Sequence, residues 1–286
     1  MNIFAFLVST VFAAESMMSP LTLDRIPHQT TNPVPSVSFG DLLTVPQVLG
    51  DTTDTQQTTP QQERSARTQV TIALLGDSMV DTLGPDFPEL TAELSAYYPQ
   101  TSVAIINDGA GGTNIDDGFL RVAHDHEYLG EKRPALFTLH PDIVVVESFG
   151  YNPYSYDEGA LDRHWMALAD MVDILREYLP DAKIVIATTI APNAGVFGDG
   201  AANISYSPTD KQEHVTTIKS YLESTTRFAE SQRLPLADAY HASLTRDGNG
   251  KLEYINAGDH IHYSPEGRAF FAKILAKTIA GNHLFE

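Results

Sequence analysis

The sequence predicts an α/β fold, with a five-stranded parallel sheet between two layers of helices. Short apolar runs of strand length alternate along the chain with longer segments whose apolar residues recur at helical spacing. Strands that alternate with helices of ten residues or more pair in parallel through right-handed crossovers. The order of these segments therefore indicates a flavodoxin-like three-layer α/β/α sandwich.

The predicted strands are apolar runs rich in Val, Ile, Leu and Ala, as is typical of strands that are buried on both faces. The run at residues 143–146 consists only of β-branched residues and is the most strand-like in the chain. The predicted strands lie at residues 70–75, 103–106, 143–146, 184–187 and 234–239.

The predicted helices carry start and stop signals. Pro88, Pro208 and Pro265 each stand at a helix start, where a missing N–H costs nothing. Pro180 and Gly281 mark two helix ends. The predicted helices cover residues 88–98, 115–123, 161–179 and 264–281, and a long one runs from residue 208 to at least residue 228.

The N-terminal part of the chain differs in composition from the rest. Residues 1–13 form an apolar stretch of signal-peptide length that ends in small residues. No Lys or Arg precedes it, so an uncleaved anchor and a misassigned start are alternatives. Residues 14–66 are rich in Thr, Gln, Pro and Ser and predict a flexible spacer, because they bury little apolar surface. We expect a folded domain over residues 67–286, in a protein that is secreted or associated with the cell envelope.

The charge of the chain bears on its partners. Asp and Glu total 37 against 18 Lys and Arg, and the formal net charge is −19. The electrostatic field of this negative charge repels phosphate backbones and anionic lipid, so nucleic acid is not expected as a partner. Beyond the first fourteen residues no stretch is apolar enough to span a bilayer, so stable membrane insertion of the mature domain is not expected. The sequence has no Cys, which excludes disulfides, thiol catalysis and thiolate metal sites.

A candidate nucleophile follows the first strand. Gly76-Asp77-Ser78 places the Ser78 hydroxyl at the carboxyl end of a parallel strand, the edge at which open α/β sheets bind their ligands. The alternative is structural, because a Ser that opens a helix is more often an N-cap whose oxygen accepts a backbone N–H.

The loops after the second and third strands offer hydrogen-bond donors to the same edge. Residues 107–114 contain three glycines, which permit close backbone approach and leave N–H groups free to face an anion. Asn152 follows the third strand and could present its side-chain amide there. Both loops also have a purely structural interpretation, since Gly and Asn are common turn formers.

A candidate general base precedes the last helix. Asp259 lies three residues before His262, and in a turn this spacing lets the carboxylate reach Nδ1–H while Nε2 faces outward. The alternative is a metal site formed by Asp259, His260 and His262. Such a site would be incomplete, because no third cluster of His, Asp or Glu accompanies it.

Taken together, these blocks resemble the SGNH (GDSL-type) hydrolase superfamily, over residues 69–281 and in the order Ser78, glycine loop, Asn152 and Asp259/His262. The resemblance implies that Ser78 is the nucleophile, that His262 is the general base and that Asp259 orients His262. It implies a serine ester hydrolase that needs no cofactor and no metal.

The resemblance also implies an oxyanion hole. Its donors would be the N–H groups of Ser78 and Gly112 and the side chain of Asn152, because residues 107–112 fit the family spacing N-x-G-x-x-G. The family's usual G-x-N-D ends here in Pro153. The Asn donor is kept, but Pro153 is expected to change how the loop leaves the site.

The substrate is expected to be a small-molecule or glycan ester. Tyr151, Tyr154, Tyr156 and Trp165 follow or lie near Asn152 and could stack on sugar rings, which favours a short acyl ester such as an O-acetylated carbohydrate over a long-chain lipid. These aromatic residues could equally be packing residues. Two other functions stay open: an O-acyltransferase of the same fold, and a non-catalytic envelope or glycan-binding module.

Overall fold

The structure is a computed structural model that describes residues 68–154 and 158–286. The predicted signal peptide and the predicted spacer lie outside the described residues, and both stay predictions. Among the helices of the two described ranges, none is long and apolar enough to cross a membrane.

The predicted parallel sheet is confirmed. The strands of the described ranges are β1 (Gln69–Gly76), β2 (Ser102–Gly109), β3 (His126–Tyr128), β4 (Glu131–Arg133), β5 (Ile143–Glu147), β6 (Lys183–Thr188) and β7 (Leu236–Asp238). Five of them form the sheet in the spatial order β2-β1-β5-β6-β7, which is the flavodoxin-like order. The short strands β3 and β4 pair antiparallel in a hairpin.

The helices begin at the positions that their sequence signals indicate. Ser207 and Ser264 act as N-caps, and each is followed by the predicted proline. The helices of the described ranges are α1 (Ser78–Asp81), α2 (Pro88–Tyr97), α3 (Ile115–Ala123), α4 (Ala160–Tyr178), α5 (Pro208–Gln232), α6 (Ala239–Ser243) and α7 (Pro265–Gly281), with 3₁₀ turns at Leu136–Leu139 and Leu252–Tyr254.

Two hydrophobic cores lie on opposite faces of the sheet, because successive side chains of a strand point to opposite sides. Leu74 of β1 and Val145 of β5 pack in one core with residues of α2 and α7. Leu75 and Val146, one position further along, pack in the other core with residues of α3, α4 and α5. Both faces of the central strands are thus buried, which explains their continuous apolar runs.

The topology brings the predicted site blocks to one edge. β1 lies between β2 and β5: the chain runs outward from β1 to β2 and then returns past β1 to β5. The strand order therefore reverses at β1, and open α/β sheets bind their ligands at such a switch point. Gly76 at the end of β1 is level with Gly109 at the end of β2. The loops that carry Ser78 and Asn152 leave the neighbouring strands β1 and β5.

Two features differ from the sequence prediction. β7 covers three residues instead of the six predicted, because it is an edge strand that pairs only with Ile186, Ala187 and Thr188 at the end of β6. The β3–β4 hairpin was not predicted, since its strands are short and polar and lack alternating apolar residues. Its connecting residues Leu129 and Gly130 both have positive φ angles, 52° and 82°, as a two-residue hairpin turn requires.

Candidate active site

The candidate nucleophile Ser78 is the first residue of α1 and is half-buried. The N-cap of this helix is the preceding residue, Asp77, whose Oδ1 accepts the Met79 N–H at 2.8 Å. The structural alternative for Ser78 is therefore wrong, because another side chain caps the helix. Within the described ranges the Ser78 hydroxyl makes no hydrogen bond, and its position at the sheet edge leaves it available for chemistry.

Asp77 links the nucleophile segment to the candidate oxyanion donor Asn152. The Asp77 carboxylate is fully buried, and its Oδ2 accepts a hydrogen bond from Asn152 Nδ2 at 3.0 Å. Burial raises the pKa of Asp77, and the hydrogen bonds from Met79 and Asn152 oppose that rise. One of the two Asn152 amide protons is thus held by Asp77, which orients the amide and leaves the other proton for a ligand.

Within the described ranges, three consecutive N–H groups of the glycine loop are paired, and the next one, that of Gly112, is not. Gly109 N–H donates to Asn107 Oδ1 at 2.8 Å, Ala110 N–H to the Gly76 carbonyl at 3.1 Å, and Gly111 N–H to the Tyr128 hydroxyl at 2.8 Å. Among these consecutive groups, only the Gly112 N–H has no acceptor in the described part of the chain. Gly112 has a φ of 73°, a conformation that glycine adopts without strain. The predicted backbone donor is therefore free to bind a ligand.

Asp259 and His262 form the predicted pair. His262 Nδ1 lies 2.9 Å from Asp259 Oδ2, and Asp259 Oδ1 accepts the N–H groups of Ile261 at 2.9 Å and His262 at 3.1 Å. Partial burial acts to raise the pKa of Asp259, but these hydrogen bonds outweigh it and the pKa is lowered. Asp259 therefore stays ionised and holds the His262 ring with Nε2 on the far side.

A second contact braces the loop that carries this pair. His260 has a positive φ of 53°, which is uncommon for a residue with a side chain, and its Nδ1 lies 2.7 Å from the Asp199 carbonyl. A Cβ at Gly200 would lie 2.3 Å from the Gly258 carbonyl oxygen, so only glycine fits there. The loop after β6 thus packs directly on the Asp259–His262 loop.

The structure brings the two halves of the site together. His262 lies close enough to Asp77 for its charge to lower the pKa of that carboxyl, against the larger effect of burial. Among the described residues no hydrogen bond joins Ser78 Oγ to His262 Nε2. Hydrogen bonds between catalytic groups are often long before substrate binds and tighten only in the complex.

Sequence reasoning missed Glu147, a buried acid beneath the site. Glu147 ends β5, and its Oε2 lies 3.4 Å from the Asp77 backbone nitrogen, which donates to it. Burial, and then the negative charge of Asp77, raise the pKa of Glu147 well above its ordinary value. A signal existed in the sequence, since an acid directly after a fully apolar strand is unusual.

Arg121 is a second residue that the sequence did not single out. This buried side chain of α3 donates from Nη2 to the Gly76 carbonyl at 3.0 Å and to Thr113 Oγ1 at 3.3 Å. It also donates from Nη1 to the Asp108 carbonyl. Arg121 thereby ties the end of β1 to both sides of the glycine loop.

Three of the aromatic residues near Asn152 make contacts within the protein. Tyr151 donates its hydroxyl to the Ile190 carbonyl at 3.0 Å, and Tyr154 donates to Asp116 Oδ1. Trp165 packs edge-on against Phe228, with ring centroids 5.3 Å apart. Tyr156 lies outside the described residues. In the described ranges, no group of three or more His, Cys, Asp or Glu side chains is arranged to hold a metal ion.

Comparison with known proteins identifies the family. The profile of the GDSL-like Lipase/Acylhydrolase family matches residues 74–270, which is more than half of the chain. No match is found among curated proteins.

A solved structure with a TM-score above 0.5 shares the fold. The chain is similar to a lipase/acylhydrolase from Enterococcus faecalis, with 20% identity, a TM-score of 0.54, and coverage of 74% of this chain and 96% of that one. It is also similar to a catalytic mutant of an acetylxylan esterase from Geobacillus stearothermophilus, with 16% identity, a TM-score of 0.48, and coverage of 73% and 94%. From the family match over residues 74–270, the chain belongs to the GDSL-like lipase/acylhydrolase family and is a carboxylester hydrolase.

Proposed function

We propose that the protein hydrolyses carboxylic esters through Ser78, His262 and Asp259, with an oxyanion hole formed by Ser78, Gly112 and Asn152. The observation that carries this proposal is the distribution of free donors. The Gly112 N–H is unpaired beside three paired neighbours, and Asn152 keeps one amide proton free while Asp77 holds the other. Donors that are oriented before the substrate binds stabilise developing charge without reorganisation.

The reaction proceeds by acyl transfer to Ser78. His262 Nε2 takes the proton of Ser78 Oγ as that oxygen attacks the ester carbonyl carbon. The carbonyl electrons move to the oxygen, which receives hydrogen bonds from the two backbone N–H groups and from Asn152. The His262 imidazolium then donates its proton to the leaving alcohol oxygen. A water molecule then attacks the acyl carbon as His262 takes its proton. The bond between that carbon and Ser78 Oγ breaks, His262 returns the proton to Ser78 Oγ, and the acid is released.

The lowered pKa of Asp259 supports the role assigned to it. An ionised carboxylate 2.9 Å from Nδ1 fixes the ring tautomer and stabilises the imidazolium that forms during attack. Asp259 thus acts by orienting and charge stabilisation, and it keeps its own charge throughout.

We propose a short acyl ester of a neutral, hydroxyl-rich alcohol, such as an O-acetylated carbohydrate, as the substrate. The net charge of −19 supports a neutral alcohol, because it disfavours the approach of anionic lipids and phosphorylated compounds. Esters of one alcohol with acyl chains from acetyl to palmitoyl, tested beside acetylated xylooligosaccharides, measure the preference. Greatest turnover on palmitoyl esters would overturn this part of the proposal.

The triad is tested with Ser78→Ala and with a matched control, Ser95→Ala. In the wild type the exposed Ser95 hydroxyl donates to the Ala92 carbonyl within α2. We expect Ser78→Ala to lose turnover and covalent labelling by a fluorophosphonate probe, while Ser95→Ala keeps both. An active Ser78→Ala enzyme would contradict the assignment. If added sugars receive the acyl group faster than water does, the protein is an O-acyltransferase that uses the same site.

We also propose that the protein is exported and is secreted or held at the cell envelope. The apolar stretch at residues 1–13 supports this location. Fractionation of cells that express the full chain, with sequencing of the mature N-terminus, tests it. Recovery of an unprocessed chain in the cytoplasm would contradict the proposal.

A further inference from the structure

The Tyr128 hydroxyl joins two segments of the candidate site. It accepts the Gly111 N–H at 2.8 Å and donates to Asp81 Oδ2 at 2.8 Å. Burial, followed by the hydrogen bond to Asp81, raises the pKa of Tyr128 even though the Gly111 N–H opposes the rise. The phenol therefore keeps its proton at neutral pH and donates it to Asp81.

Both partners of Tyr128 lie close to the nucleophile. Asp81 is the last residue of α1 and lies about one helical turn after Ser78. Gly111 directly precedes the free Gly112 N–H, and a Cβ at Gly111 would lie 3.7 Å from Ser78 Cβ. The single hydroxyl thus ties the helix of the nucleophile to the loop that supplies the oxyanion donor.

The hairpin that carries Tyr128 makes a second contact with the same loop. Arg133 of β4 donates from Nη1 to the Gly109 carbonyl at 2.8 Å, and its guanidinium lies 4.7 Å from the centre of the Tyr128 ring. The ring is therefore held in place from one side while its hydroxyl holds Gly111. A loop with three glycines has many accessible conformations, and these contacts restrict it to one.

We propose that Tyr128 is a positioning residue for the oxyanion hole: by binding the Gly111 N–H and Asp81 together, it fixes the glycine loop so that the Gly112 N–H can donate to the carbonyl oxygen of an ester that Ser78 attacks. This inference rests on the proposed function for its catalytic consequence, whereas the restraint on the loop is a property of the fold. Tyr128 acts through Gly112 and does not bind the reacting atoms.

The test compares Tyr128→Phe and Asp81→Ala with a matched control, Tyr178→Phe, in which an exposed tyrosine of α4 loses its hydroxyl. Because small misplacements of catalytic groups are costly, we expect Tyr128→Phe to lower kcat about 10- to 100-fold, with KM changed less than about twofold. Affinity for a boronic acid that mimics the tetrahedral intermediate should fall in parallel with kcat. If Tyr128 served only to stabilise the fold, kcat and the affinity for the boronic acid would both stay at their wild-type values.

Because the Tyr128 hydroxyl donates to Asp81, the effects of substituting these two residues on kcat should not be additive. The double variant Tyr128→Phe/Asp81→Ala is expected to be no less active than Tyr128→Phe alone, because both changes break one link. Additive losses would overturn the inference.

Hydrogen–deuterium exchange of the peptide that covers residues 109–114 gives a readout that does not depend on activity. We expect faster exchange in Tyr128→Phe than in the wild type, and unchanged exchange in Tyr178→Phe. Unchanged exchange together with unchanged kcat in Tyr128→Phe would overturn the inference. Failure of the proposed function would show differently, as a wild-type protein that neither turns over esters nor labels at Ser78.

Discussion

The side-chain amide of Asn152 donates to the buried carboxylate of Asp77 at 3.0 Å, across the switch point between β1 and β5. The residue that caps the nucleophile helix is therefore the residue that orients the proposed oxyanion donor. Substitutions on either side of this contact should change catalysis more than stability.

Replacing Asp77 by Asn should impair catalysis without unfolding the protein. Asn can still accept the Met79 N–H, but its amide would then face the Asn152 amide with a donor against a donor. We expect kcat to fall about 10- to 100-fold, because the Asn152 amide turns away from its working position. The melting temperature should change little, since burial already disfavours the Asp77 charge. An Asp77→Asn enzyme with wild-type kcat, beside an unaffected Asp173→Asn control, would refute this prediction.

Removing the Asn152 amide should destabilise the bound transition state more than the bound substrate. We expect Asn152→Ala to lower kcat about 10²- to 10³-fold with a small change in KM, as loss of one oxyanion donor typically does. Steady-state kinetics on an acetyl ester measures both constants. Asn282→Ala, at the exposed end of α7, is the control. A rise in KM with unchanged kcat would show that Asn152 binds substrate and does not stabilise the oxyanion.

The buried carboxyl of Asp108 should make stability depend on pH. Burial raises its pKa to about 6, against the charges of Arg121 and Arg133, and His126 Nε2 lies 3.3 Å from its Oδ1. A carboxyl whose pKa is higher in the folded state than in the unfolded state stabilises the fold below the unfolded value of 3.8, and this contribution is lost as the pH rises to about 6.

The variant Asp108→Asn removes that loss, because the amide does not ionise. We therefore compare the free energy of unfolding of Asp108→Asn with that of the wild type at each pH. Between low pH and pH above 6, this difference should shift in favour of the variant by up to about 3 kcal/mol. Urea unfolding at several pH values measures the difference. Asp173→Asn, with a side chain that is 77% exposed, should follow the wild-type curve. Parallel curves for the wild type and Asp108→Asn would contradict the prediction.

The strained His260 offers a test that separates backbone conformation from side-chain contact. At a φ of 53°, a residue with a Cβ is disfavoured relative to glycine by about 1–2 kcal/mol. His260→Ala keeps this strain and loses the contact with the Asp199 carbonyl, whereas His260→Gly loses both. We therefore expect the Ala variant to be less stable than the Gly variant in chemical denaturation. Equal stability of the two variants would contradict the prediction that the positive φ of His260 strains the backbone.

Much of the fold was predictable from local patterns. The central strands were recognisable because both their faces are buried, so their residues are apolar without interruption. The β3–β4 hairpin was not, because Tyr128 and Arg133 act through tertiary contacts with the glycine loop and leave no periodic apolar pattern. β7 was predicted too long because edge pairing, rather than residue composition, sets where that strand ends.

The sequence by itself determined the α/β class, the order of the blocks and the identity of Ser78, Gly112, Asn152, Asp259 and His262 as candidates. These features depend on residue type and on spacing along the chain, which are local. Only the tertiary structure decided that Asp77 caps α1 and holds Asn152, and that, among the described residues, the Gly112 N–H is unpaired after three paired N–H groups. Hydrogen bonds between residues far apart in the chain depend on how strands and loops pack, and no local pattern encodes them.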